Sequence, residues 1–217
     1  MERTYSLYRT DGRIYFTLFC LVLLGITFLS REVLLTEEVY FSSLSEQMGA
    51  ERIQAMLQLQ KDWEWAGYLF VPVYHLLKFA TIALCLNVGT LLFNFKVPFK
   101  RLFQVAMLAE LVFLIPLIIK TVWFLLIQTD FTLEDFQQFY PFSLLSLFET
   151  GSVAQWWLYP LQLVNVFEIA YWLLLAYGLH QVLQTHYDNA LKLVLASYLP
   201  ALLLWVTLVT FLSVSMG

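Results

Sequence analysis

Long runs of apolar residues alternate with short polar stretches along this 217-residue chain. A helix that crosses the hydrocarbon core of a bilayer needs about 20 mostly apolar residues, and five runs have that character. In chain order, these first to fifth spans cover about 14–29, 66–93, 102–127, 156–181 and 191–214. The pattern predicts an all-α integral membrane protein in which residues 1–217 form one membrane domain, a five-helix transmembrane bundle.

The two longest connections between the predicted spans, 30–65 and 128–155, each contain a segment with structure of its own. Residues 51–64 place their apolar side chains near one helical stripe with charges opposite, which predicts an amphipathic helix on the outer surface or capping the bundle. The stripe consists of Ile53, Met56, Leu57 and Trp63. Residues 131–148 are rich in Phe and Leu but interrupted by Pro141, which predicts an interfacial or re-entrant segment packed against protein.

The composition supports the membrane class independently of the pattern. Hydrophobic residues make up 60% of the chain and charged residues only 13%, against about 25% in ordinary soluble domains. A soluble domain of this length cannot bury that much apolar surface, whereas a bilayer solvates it directly. The two cysteines, Cys20 and Cys85, lie apart in apolar runs without a neighbouring histidine cluster, so we expect no metal site and no cofactor.

The positive charges of the connections are distributed unequally between the two sides. Seven cations fall on the side of the N-terminus: Arg3, Arg9, Arg13, Lys96, Lys100, Arg101 and Lys192. The opposite side carries Arg31, Arg52 and Lys61. Because Lys and Arg are retained on the cytoplasmic side, this predicts a cytoplasmic N-terminus and a C-terminus outside. Short loops and the absence of N-x-S/T from the outer loops favour a bacterial inner membrane.

Four ionisable residues fall inside the predicted spans: Lys78, Glu110, Lys120 and Glu168. Each costs roughly 2.5–3.5 kcal/mol at the centre of a bilayer, so each should face the bundle interior, a wet cavity or the interface. Lys78 in the second span and Glu168 in the fourth lie at similar depth, counting about 1.5 Å per residue. We therefore predict that these two side chains pair and offset each other's cost.

The pair belongs to a larger set of polar positions. Gln162, Asn165 and Glu168 follow one another at three-residue spacing, and His75 precedes Lys78 by three residues. These five residues, the polar seam, predict that the second and fourth spans face each other. A packing role, in which a buried pair fixes the helices, is favoured. A proton or ion relay, a substrate site, and no contact at all are the alternatives.

The third span carries the two other ionisable residues. Glu110 lies about two turns inside the cytoplasmic end, and either reaches back to that interface or joins the polar seam. Lys120 lies nearer the outer end, and its four-carbon stem predicts that the ammonium reaches the outer interface. The ten-residue separation predicts that the two side chains occupy different faces of the helix.

Enzyme signatures do not occur in the chain. It has no HExxH, GxSxG or P-loop sequence, and no basic patch that would indicate a nucleic-acid partner. We therefore predict a non-enzymatic protein. Its partners are the lipid bilayer and either another membrane protein or a second copy of the chain.

The C-terminal half contains YPLQLVNVFE at 159–168, AYGL at 176–179 and an Ala-led final span from Ala190. In these segments it resembles the Yip family of multi-span membrane proteins. The resemblance implies five spans, a cytoplasmic N-terminus and a non-enzymatic role in organising membrane or partner proteins. The eukaryotic members, which interact with Rab-type GTPases, carry a long N-terminal region that differs from the roughly 13 residues here. The alternative function is a small transporter or channel component that uses the polar seam.

Overall fold

The computed structural model describes residues 12–216, and within that part every regular element is helical. Five helical segments are long and apolar enough to cross a membrane: Gly12–Leu34, Glu64–Leu92, Phe99–Leu126, Val166–Leu183 and Tyr187–Ser215. The prediction of an all-helical chain with five apolar segments of spanning length is therefore confirmed. The predictions that rest on Arg3 and Arg9 lie outside the described residues.

Ten α-helices, numbered in chain order, form the described part of the chain. The N-terminal half contains α1 Gly12–Leu29, a π-helical turn Ser30–Leu34, α2 Glu37–Leu44, α3 Ala50–Asp62, α4 Glu64–Leu92, α5 Phe99–Glu110, a 3-10 turn Leu111–Phe113 and α6 Leu114–Leu126. The C-terminal half contains α7 Leu133–Gln138, a 3-10 turn Leu144–Leu147, α8 Gln155–Leu163, α9 Val166–Leu183 and α10 Tyr187–Met216.

Four helices, α4, α5, α9 and α10, surround one apolar core. Helices α4 and α9 lie diagonally opposite, and each packs against both α5 and α10. The prediction that the second and fourth spans face each other is therefore wrong. Hydropathy and depth along a helix do not specify which helices are neighbours, so two polar positions at one level can lie across a diagonal.

One end of this core, next to the connections at 93–98 and 184–186, is apolar and tightly packed. We call it the packed half, and its fully buried side chains include Leu86, Leu102, Leu179 and Leu193. Gly89 of α4 lies so close to α10 that a Cβ there would be 2.7 Å from the Ser197 Oγ and 2.8 Å from the Leu193 Cδ2. Small residues at such a crossing let two backbones approach closely.

The first long helix, α1, lies against the side of this core rather than within it. Its residues Phe19, Cys20 and Leu23 are buried against Phe79 of α4 and Met107 of α5. The remaining faces of α1 are largely exposed apolar surface. Such a face needs an apolar environment outside the protein.

The two long connections, 30–65 and 128–155, contain helices where the sequence indicates structure. Helix α3 occupies 50–62, close to the amphipathic helix expected at 51–64, and it buries Ile53 completely. The two connections also contact each other, because the Leu133 backbone N–H donates to the Ser43 Oγ at 2.8 Å. Thr132 and Asp135 close a capping box at the start of α7, which fixes where this short helix begins.

The fourth span is broken, although the apolar pattern predicts continuous helix over 156–181. Helix α8 ends at Leu163, and α9 begins only after Asn165, which has an extended backbone with φ −142° and ψ 163°. The Leu144 N–H donates to the Val164 carbonyl at 2.9 Å, and the Val166 N–H donates to the Phe142 carbonyl at 3.2 Å. The predicted re-entrant segment thus supplies the hydrogen bonds that the broken helix has lost.

Candidate polar cavity

A cavity of about 470 Å³ lies where the broken fourth span, the third span and α4 meet the segment at 139–143. We call this region the cavity half. Its lining includes every residue of the polar seam and Glu110 as well: His75, Lys78, Glu110, Gln162, Asn165 and Glu168. Further lining residues come from α6, α8 and the outer connection: Lys120, Tyr140, Ser143 and Tyr159.

Lys78 forms an ion pair within this cavity, but not with the predicted partner. Its ammonium donates to the Glu110 Oε1, and it lies 4.9 Å from the centroid of the Phe113 ring. The prediction of a Lys78–Glu168 pair is therefore wrong, because α5 is a direct neighbour of α4 and α9 lies across the diagonal. The Glu110 side chain is 2% exposed and that of Lys78 is 34% exposed, so the lysine forms the open side of the pair.

Glu168 is held by the core instead of by a lysine. Its side chain is buried, and its Oε1 accepts hydrogen bonds from the Trp172 indole N–H at 2.8 Å and the Tyr198 hydroxyl at 2.9 Å. Two donors to one carboxylate oxygen compensate a buried charge without a cation. Sequence reasoning missed Tyr198. The available signal was a tyrosine inside the fifth span, whose hydroxyl needs a partner once it is buried.

Asn165 uses its side chain to shape the break. Its Oδ1 accepts from the Glu168 N–H at 2.7 Å, and its Nδ2 donates to the carbonyls of Gln162 at 2.8 Å and Leu163 at 3.2 Å. It therefore caps α9 at one side and closes the end of α8 at the other. The spacing of Gln162, Asn165 and Glu168 at three-residue intervals therefore has two causes: Asn165 bonds to the backbone of the other two residues, and all three line the cavity.

His75 connects the cavity with the cluster around α1. Its Nδ1 lies 2.8 Å from the Val71 carbonyl oxygen. Since a carbonyl only accepts, that nitrogen carries the proton and donates. The ring centroids of Phe19, Tyr74 and Phe79 lie 5.2, 5.1 and 6.0 Å away, which holds the imidazole among aromatic rings.

Glu110 and Lys120 both line the cavity, so the prediction that they occupy different faces is wrong. Ten residues of ideal α-helix rotate a side chain by about 1,000°, which is about 80° short of three full turns. The 3-10 turn Leu111–Phe113 separates the two residues. Its three residues each rotate by about 120° instead of about 100°, which recovers about 60° of the difference. The turn therefore reduces the angle between the two side chains, and both line the cavity.

Lys120 lies against the connection 128–155. Its ammonium is 4.3 Å from the centroid of the Phe136 ring and 5.3 Å from that of Tyr140. Both rings belong to the connection 128–155, and the predicted reach of the ammonium to the outer interface stays a prediction. Among residues 12–216, no carboxylate forms an ion pair with Lys120. It is therefore a cation whose counter-charge the surrounding side chains do not supply.

No family model matches this chain, and neither the curated proteins nor the solved structures contain a match. The resemblance to the Yip family thus stays a prediction. In the described part of the chain, no group of three or more His, Cys, Asp or Glu side chains is placed to hold a metal ion. The cavity is therefore the feature of the structure from which a function can be proposed.

Proposed function

We propose that this chain is a five-span integral membrane protein that admits a small polar solute into its cavity, as a small transporter or channel component. The N-terminus is cytoplasmic, the C-terminus is outside, and the membrane is a bacterial inner membrane. The cavity half then faces outwards, and the packed half lies towards the cytoplasm. The observation that carries the proposal is the Lys78–Glu110 pair, which opens onto a cavity of about 470 Å³.

The membrane bundle is supported by length, hydropathy and charge. Five helical segments have the length and hydropathy of spans, and their outward faces are rich in exposed Leu, Ile, Val and Phe. Cations concentrate in the connections that share the side of the N-terminus, in line with retention of Lys and Arg in the cytoplasm.

Solute binding is supported by the interruption of two spans beside the cavity. The third span is interrupted by the turn Leu111–Phe113. The fourth span, as the sequence predicts it, is interrupted by the non-helical Val164 and the extended Asn165, which directly precede the segment Val166–Leu183. Irregular backbone at membrane depth is tolerated where it is buried in protein or lines a water-filled space. Many transporters place their substrate sites at such discontinuous helices.

Water access to the cavity distinguishes this proposal from a sealed bundle. In a variant whose native Cys20 and Cys85 are replaced by alanine, Gln162→Cys would place a thiol in the cavity wall. Leu84→Cys is the matched control, because Leu84 lies on an exposed apolar face of α4. Only a thiol in contact with water ionises and reacts readily with a charged thiol reagent.

We expect a membrane-impermeant methanethiosulfonate, added to the side of the outer connections, to label Gln162→Cys and spare Leu84→Cys. Labelling only from the N-terminal side would overturn the orientation. Equal resistance of both thiols would overturn the open cavity and the transport role with it.

The organising role implied by the Yip resemblance stays a prediction, as do the non-enzymatic character and the partner or second copy. A role of that kind works through surfaces and needs no cavity. Proteoliposomes that accumulate a solute with the wild-type chain, and fail to do so with Lys78→Met, would favour transport over organisation.

A further inference from the structure

The polar groups of the cavity differ in how far the protein already satisfies them. Asn165 uses its amide for the cap of α9, and the Glu168 Oε1 accepts two hydrogen bonds from the core. Glu110 is paired with Lys78. One oxygen of each carboxylate in the wall is thus already engaged by donors of the protein itself, while the buried Glu110 Oε2 has no hydrogen-bond partner in the described part of the chain.

The groups left to a ligand are mainly donors. The Lys78 ammonium has three N–H groups and uses one on Glu110. The Tyr159 hydroxyl accepts from the Trp205 indole at 2.8 Å and retains its own proton for donation. Among the described residues, Gln162 and Tyr140 have no hydrogen bond to their side chains and can both donate.

Lys120 adds a full positive charge to these donors. It contacts the rings of Phe136 and Tyr140, and no carboxylate pairs with it in the part of the chain described. A lysine in such a position costs free energy that a bound anion would offset. Surface lysines need no such compensation, because water provides it.

The rest of the lining is apolar. Phe113, Leu117, Phe139, Leu163 and Phe167 contribute to the same wall. Ligand sites of this kind bury an apolar body and orient it by a few polar groups. An inorganic ion would gain little from these aromatic surfaces.

We propose that the cavity binds a small organic carboxylate, whose acid group meets Lys120 and whose apolar body lies against the aromatic wall. This inference rests on the proposed solute-binding function and names its substrate class. The volume of about 470 Å³ accommodates a molecule of the size of benzoate.

Three compounds of one shape and different charge test the class directly. We would measure the saturable binding of benzoate, benzamide and benzylammonium to the full chain in detergent by isothermal titration calorimetry. Benzoate should bind at least about tenfold more tightly than the other two, because only it forms a charge-assisted contact with a lysine. Comparable binding of all three, or preference for benzylammonium, would overturn the assignment without any variant.

Variants then locate the contact. Lys120→Gln should weaken benzoate binding by about tenfold or more, whereas Lys120→Arg should retain most of it. Lys192→Gln is the control, since this exposed lysine lies at the start of α10 beside the packed half. Full benzoate affinity in Lys120→Gln would place the anion elsewhere and overturn the proposal.

Solute binding and the carboxylate class are contradicted by different results. If Gln162→Cys is labelled from water but benzoate does not bind, the cavity stands and the carboxylate class is wrong. If none of the three compounds binds and the thiol is also protected, the solute-binding function itself is wrong.

Discussion

The two halves of the four-helix core are built from the same helices but on different principles. In the packed half, continuous stretches of α4, α5, α9 and α10 bury Leu and Ala side chains, and Gly89 allows close contact between backbones. In the cavity half, the third and fourth spans are interrupted and polar side chains face a space of about 470 Å³. A single apolar bundle would not need the second arrangement.

The difference indicates that the packed half and the cavity half have different roles. Close packing of apolar helices provides stability and a seal, whereas broken helices expose backbone and polar groups that stability alone disfavours. Changes in the two halves should therefore have separable effects. Those in the packed half should alter stability, and those in the cavity half should alter both stability and ligand binding.

Glu110→Gln should have the largest effect on stability, because it leaves the Lys78 ammonium beside a neutral amide. Breaking a buried ion pair from one side costs about 3–5 kcal/mol, and we expect about 3 kcal/mol here since Lys78 is partly open to the cavity. Denaturation of the purified protein in detergent measures this loss.

The combined change Lys78→Met with Glu110→Leu is its control. It removes both charges and should recover most of the stability. Glu168→Gln should cost clearly less than Glu110→Gln, because its remaining carbonyl oxygen still accepts from Trp172 and Tyr198. The reverse order of the two glutamate variants would reinstate Glu168 as the partner of Lys78.

Gly89→Ala tests the packed half. The new Cβ would lie within 2.7–2.8 Å of Ser197 and Leu193, which forces α4 and α10 apart. Overpacking of this kind costs roughly 1–3 kcal/mol, and we expect about 2 kcal/mol in the same denaturation experiment. Gly25→Ala is the matched control, because nothing lies within 4 Å of a Cβ at that position of α1. Equal stability of the two variants would show that the close crossing does not matter.

Tyr198→Phe lies at the boundary between the halves. It removes the hydroxyl that donates to Glu168 at 2.9 Å and leaves the ring in place. A hydrogen bond to a charged group contributes about 1.5–3 kcal/mol, and we expect the lower value because the Trp172 indole remains. Tyr177→Phe, at an exposed position of α9, should change the unfolding free energy very little. A loss as large as that of Glu110→Gln would make Glu168 the principal support of the core.

The sequence predicts the helical elements far better than their arrangement. Apolar periodicity identifies five helices because each span must satisfy its backbone internally. The same pattern cannot show the break at Asn165, since Val164 and Val166 on either side are as apolar as helix interiors. The break depends on hydrogen bonds to Phe142 and Leu144, which are distant in sequence.

The candidate site was predictable as a group of residues and not as a set of pairs. The cost of ionised groups in a bilayer singles out Lys78, Glu110 and Glu168 without structural knowledge. Their pairing depends on which helices are neighbours, and this is not encoded in spacing. For that reason, the similar depth of Lys78 and Glu168 along their helices did not identify the partner of Lys78.

Thr132→Ala should have the smallest effect and should remain confined to the cavity half. The Thr132 hydroxyl accepts from the Asp135 N–H at 3.1 Å, and loss of such a cap costs about 1 kcal/mol. Amide hydrogen exchange over 133–138 should accelerate about fivefold, whereas Thr207→Ala, inside α10, should leave it unchanged.

The same cap has a pH dependence. Burial opposes ionisation of Asp135, but the hydrogen bonds from the Thr132 backbone and hydroxyl outweigh it and hold the pKa of Asp135 below its ordinary value. A lowered pKa stabilises the folded segment fully above the ordinary carboxyl value of about 3.9 and loses that contribution as the pH falls through the lowered pKa. Exchange over 133–138 should therefore accelerate on acidification below about pH 4, once the intrinsic rate is corrected for pH. If acidification opens α4 equally, the covering segment and the bundle form one cooperative unit, and the division between the two halves fails.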